Sequence, residues 1–202
     1  MMSASAKSVS APANMQTPPR DRILAAASDL FYRQGIRAVG VDAIAEAAGT
    51  NKMTLYRHFD SKDQLVAEYL RCLATEAGRF WTELEAAHPG DPRAQLRGWL
   101  GAMQAHVADA DPRGCALANA AIELPEKDHP ARRVIEDFKA AQRDRLVALC
   151  GATGVAEPEL LADELFLLLE GARVSAQSSG PQGPASRLVR MGEALIASHL
   201  AS

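Results

Sequence analysis

Cysteine, aromatic residues and long apolar runs are all scarce in this chain of 202 residues. The three cysteines, Cys72, Cys115 and Cys150, are far apart and odd in number, which suits neither a disulfide framework nor a paired-thiolate zinc site and points to a reducing, cytoplasmic setting. Aromatic residues make up 5% of the chain while 39 residues are alanine, a balance that favours helix and excludes an all-β fold. No run of apolar residues exceeds five, and the most hydrophobic, Leu165 to Leu169, is closed by Glu164 and Glu170. It falls far short of the roughly 20 residues that cross a bilayer, so a membrane span is excluded. The histidines at 58, 88, 106, 129 and 199 show no i, i+4 pair and no neighbouring cysteine, so neither metal nor cofactor is expected. Asp109, Asp111 and Asp128 read as turn formers and caps. There is no G-x-S-x-G elbow, no Gly-rich phosphate loop and no H-E-x-x-H, which argues against an enzyme. An excess of positive charge is missing too, the formal net charge being -3.

That balance conceals a division. Residues 1–62 hold 8 Lys or Arg against 5 Asp or Glu, while residues 63–202 hold 14 against 20. A basic head precedes an acidic body, and the head is where a polyanion would be met.

Proline is absent between Arg20 and His88 and recurs at 89, 92, 112, 125, 130, 158, 181 and 184. Because proline breaks helix interiors but suits a first turn, these positions punctuate a chain of about nine helices. Residues 1–19, rich in Ser, Ala, Met and Pro, read as a disordered tail. Helices are expected near 20–34, 41–48 and 52–58, with a fourth opening at Ser61, which forms a capping-box pattern with Gln64. Further helices are expected near 92–108, 116–124, 130–150, 158–177 and 185–200. The fold class is therefore all-α. The boundaries are a helix-turn-helix domain over 20–65 and a larger helical bundle over 66–202.

The short helices at 41–48 and 52–58 are joined by Gly49, Thr50 and Asn51, the spacing of a helix-turn-helix whose second helix can enter a major groove. The chemistry agrees with the geometry. Thr50, Asn51, Lys52, Thr54, Tyr56, Arg57 and His58 can all hydrogen-bond and crowd around one short helix, while Met53, Leu55 and Phe59 supply anchorage. Lys62 places a cation in the first turn of the next helix, where free N–H groups already favour an anion; a bound phosphate would resolve that misfit.

The segment ILAAASDLFYRQGIRAVGVDAIAEAAGTNKMTLYRHFDSKDQL resembles the DNA-binding domain of the TetR family of bacterial transcriptional regulators, with IAEAAG, LYRHF and SKDQL the most diagnostic pieces. RGCALANAAIELPEKDHPARR and LLLEGARVSAQ look like parts of one regulatory-domain subgroup. The resemblance implies groove contacts at Asn51, Lys52, Thr54, Arg57 and His58 and phosphate contacts at Tyr56 and Lys62. Gly40 departs from the Ser or Thr usual at the start of the second helix, and glycine brings no hydroxyl for a phosphate there. It further implies a repressor that binds a palindromic double-stranded operator as a homodimer and is released by a small-molecule effector.

A recognition helix of seven residues touches few base pairs, so a two-fold dimer is needed for affinity and selectivity. The last two helices are the natural dimer faces, through Leu161, Leu165, Leu168, Leu188, Met191 and Leu195, although so apolar a helix packs equally well inside a monomer. Effector contacts are expected from Phe80, Trp81, Trp99, Met103, Asn119, Phe138, Phe166 and Glu170, each of which reads equally as core. Cys115, near Arg113 and at a helix start, is a further candidate and an alternative thiol sensor.

Overall fold

The computed structural model describes residues 17–108 and 113–200, and among these it contains nine α-helices and no strand. The expected tail lies outside the described residues save for residues 17–19, as do Asp109 and Asp111. The helices are α1 (Pro19–Gln34), α2 (Val41–Ala47), α3 (Lys52–His58), α4 (Lys62–Ala87), α5 (Pro92–Ala108), α6 (Ala116–Glu123), α7 (Pro130–Ala152), α8 (Pro158–Ser179) and α9 (Leu188–Leu200). A 3-10 turn, Pro184–Arg187, leads into α9. Proline opens α1, α5, α7, α8 and the 3-10 turn, where its missing N–H costs no hydrogen bond. Ser61 Oγ accepts from the Gln64 N–H at 3.1 Å, so the start of α4 is the capped one that its sequence implies. No described helix is long and apolar enough to cross a membrane.

The described residues fall into two compact units. One takes Ala6–Glu76 with Cys115–Asp137 and the other Ala77–Gly114 with Phe138–Ser202, in each case as far as the described residues reach. Thus α4 and α7 each supply residues to both units.

In the first unit α1 packs on α2 and α3, and α2 on α3. The buried stripe of α1, Ile23, Ala27 and Phe31, recurs every four residues, and Phe31 meets Tyr69 of α4 with ring centroids 5.8 Å apart. Arg20 ties the two ends of the head together, donating to Glu68 at 2.8 Å with its guanidinium 5.2 Å from the centre of the Phe59 ring. The segment 115–137 joins this unit through Arg37, whose Nε donates to the Glu123 carbonyl at 2.6 Å and whose backbone N–H donates to the Glu123 carboxylate at 3.1 Å. His129 Nδ1 accepts from the Ala131 N–H, which leaves the opposite ring nitrogen 3.4 Å from Asp63.

In the second unit α5, α8 and α9 pack on one another around Leu96, Trp99, Leu100, Leu146, Leu161, Leu165, Leu169 and Leu188. The small residue of α9 serves a close approach, since a Cβ added at Gly192 would run into Leu100 of α5.

This core takes up three of the leucines expected at the dimer face. Leu161, Leu165 and Leu188 are fully buried within the chain itself, Leu168 and Leu195 are half-buried against the same core, and Met191 is exposed. The reason is rotational. On α8 the stripe 161, 165, 169, 172 faces inward, while Leu160, Leu167 and Val174, each seven residues from the next, stand on another face with Leu167 70% and Val174 64% exposed.

Candidate functional site

Recognition chemistry needs a helix held rigidly by one face and polar on the other, and α3 is built so. Gly49 takes φ 61°, a conformation that side-chain-bearing residues rarely adopt, and turns the chain between α2 and α3. Asn51 then caps α3, its side-chain oxygen accepting from the Thr54 N–H at 2.9 Å. Leu55 and Phe59 are buried and hold the helix down. Around them Lys52, Tyr56, Arg57 and His58 are exposed. Lys52 Nζ lies 3.4 Å from Asp42 of α2, an exposed pair of the kind worth little to stability and easily surrendered to a phosphate or base.

Two side chains stand elsewhere than their sequence positions imply. Met53 is no anchor: it is 78% exposed, because position 53 falls on the face of α3 opposite Leu55 and Phe59. Lys62 is turned inward, its ammonium donating to the Ile36 carbonyl at 2.6 Å and lying 6.0 Å from the Phe31 ring centre. Burial lowers its pKa, against the opposing charges of Asp63 and Glu123. Lys62 therefore clamps the start of α4 to the α1–α2 connection. Gly40 caps α2 without a side-chain hydrogen bond at φ -87°, and a Cβ added there would meet nothing within 4 Å.

The expected effector residues divide three ways. Trp99 is buried core with Met103 packed against it, and Cys115 and Asn119 belong to the first unit. Cys115 is half-buried at the N-cap of α6 and its side chain makes no capping hydrogen bond.

The remaining five all lie in the second unit, where Phe80 and Trp81 form one group and Phe166 and Glu170 another, with three residues that sequence reasoning missed. Phe80 and Trp81 of α4 meet edge to face at 5.8 Å, and Trp81 Nε1 donates to Gln142 of α7 at 2.8 Å. One turn back on α7 stand Phe138 and Lys139, the latter donating to Glu170 of α8 at 2.8 Å with its ammonium 5.4 Å from the Phe166 ring centre. Arg173 closes the set at 2.6 Å from the other oxygen of Glu170. Burial pushes the Glu170 carboxyl up, but the hydrogen bond and charge of Lys139, with Arg173, outweigh it and hold the carboxylate ionised. Arg173 was legible: a cation three residues after Glu170, inside the apolar LLLEGARV stretch, has to meet a partner within the protein.

The class is then defined by its parts, a helix-turn-helix with an exposed polar recognition helix on an all-helical chain. The model of the bacterial regulatory proteins of the tetR family matches residues 23–69. The chain is 30% identical over 172 residues to the HTH-type transcriptional repressor KstR2 of Mycolicibacterium smegmatis, covering 83% of this chain and 82% of that one. It is 36% identical over 78 residues to the HTH-type transcriptional regulator AcrR of Shigella flexneri, and there the match spans only 36% of the relative's length. Among solved structures, a TetR-family transcriptional regulator from Streptomyces coelicolor superposes with a TM-score of 0.84 at 26% identity, covering 90% of this chain and 95% of that one. The chain belongs to the TetR family, whose members are transcriptional regulators and not enzymes.

Proposed function

We propose that this protein is a cytoplasmic repressor that binds a palindromic operator as a homodimer and lets go of it when a small molecule enters the helical body. The observation that carries the reading is the make-up of α3, anchored by Leu55 and Phe59 and capped by Asn51, with Lys52, Met53, Tyr56, Arg57 and His58 turned outward. Arg57 and Lys52 supply the donors suited to guanine edges, and the Asn51 amide, whose oxygen is engaged in the cap, can still donate to a base acceptor. Met53 adds an apolar contact of the kind that fits a thymine methyl. Tyr56 and the hydroxyl of Thr54 suit phosphate contacts that set register. The dimer face is the outward stripe Leu160, Leu167, Val174 and Met191, apolar side chains that a monomer leaves in water. Repression is the sign in KstR2's name and the usual one in the family.

Selection of bound sequences from a random DNA pool tests this. A two-fold symmetric consensus whose half-sites lie about one or more helical turns apart supports it, since two recognition helices must match the groove repeat. Recovery of no consensus, or of an asymmetric one, contradicts it.

A further inference from the structure

Lys139 and Arg173 both turn onto the one carboxylate of Glu170, and no other charge shapes that carboxylate. The three side chains are largely withdrawn from solvent and together carry one uncompensated positive charge. The buried Nε–H of Arg173 has no acceptor among the described residues. A purely structural bridge on the same two helices looks different: Arg143 meets Asp163 one to one through both carboxylate oxygens, out toward solvent. Beside the cluster lies Phe166, its ring centre 5.4 Å from the Lys139 ammonium.

We propose that this cluster recognises an amphiphilic carboxylate, its apolar body against Phe166 and its anion on Arg173 and Lys139, and that molecules of this class are the effectors. The inference rests on the effector-responsive reading above. An anion supplies both the missing charge and the missing acceptor for Arg173. A cationic ligand finds Glu170 already engaged twice, and a neutral one leaves the Arg173 Nε–H unpaired.

The test is calorimetric titration of the full-length protein, without DNA and at neutral pH, with decanoate, 1-decanol and decyltrimethylammonium below their micelle concentrations. Decanoate is expected to bind about 10-fold tighter than decanol, as a charge-assisted hydrogen bond warrants, with the ammonium weakest. Lys139→Met and Arg173→Met should each weaken decanoate by about 10-fold and move decanol by no more than roughly threefold. Glu170→Gln frees both cations and should tighten decanoate, a gain that a damaged fold cannot produce. Equal binding of decanoate and decanol, tighter binding of the ammonium, no binding of any probe, or failure of Glu170→Gln to tighten decanoate overturns the proposal. Operator binding is measured on the same preparations without probe. Protein that binds operator but not decanoate overturns this inference alone, whereas protein that binds decanoate but no DNA overturns the regulator reading.

Discussion

The oxygen of Asn51 is occupied by the Thr54 N–H, so in the proposed reading position 51 caps α3 through one atom of its amide and meets DNA through the other. Asn51→Ala should therefore destabilise the protein by about 1 kcal/mol, the usual cost of a lost cap, besides weakening DNA binding; chemical denaturation reads the first effect apart from the second. Gly40 offers the converse opportunity. Serine there meets open space at an accessible φ, so Gly40→Ser should add a few tenths of a kcal/mol to stability and raise operator affinity by roughly threefold through a new phosphate contact, read by fluorescence anisotropy. Met53→Ala should lower preference for thymine at one base pair with little effect elsewhere, whereas Lys52→Ala should weaken every sequence and relax base preference as well. The cap at Asn51 was hidden in the sequence because an asparagine before a polar helix fits a base contact as readily as a cap. The exposure of Met53 was hidden because hydrophobicity alone does not fix which side of a two-turn helix a residue takes.

At the scale of the element, α8 shows what an apolar run leaves open. Its composition demands burial on several sides, and only the rotation of the helix decides which leucines serve the chain's own core and which are left for a partner. Leu161→Ala should cost about 2–5 kcal/mol, the range for a cavity at a fully buried leucine, without changing the oligomeric state. Leu167→Asp should do the opposite, leaving each chain folded while splitting the dimer in sedimentation. If both substitutions only unfold the protein, the outward stripe is not the partner face. The boundaries of α3 and α5 and the prolines that open α7 and α8 were legible because caps and prolines act locally. The joining of segment 115–137 to the head was not, since it depends on Arg37 reaching Glu123 across 86 positions of chain.

For the whole molecule, the basic head and acidic body set expectations for salt and acid. Several carboxylates hold their charge below the ordinary range: Glu68 through its hydrogen bond to Arg20, which burial opposes, Asp163 through its hydrogen bond to Arg143, and Glu170 as described above. Such groups keep their charge in the folded protein at a pH where the unfolded chain is already taking up protons. Their contribution is therefore full at neutral pH and disappears as the pH falls below the usual carboxylate values, so the melting temperature should hold steady down to about pH 5 and drop below about pH 4. Glu170→Gln should flatten part of that fall. The most direct test of the account is an anisotropy titration of the selected palindrome against its isolated half-site. Two chains per palindrome, a far weaker half-site, and a log affinity falling steeply and linearly with log salt are expected, because paired recognition helices release counterions from both half-sites. One chain bound equally well to either DNA, or an affinity indifferent to salt, would contradict it.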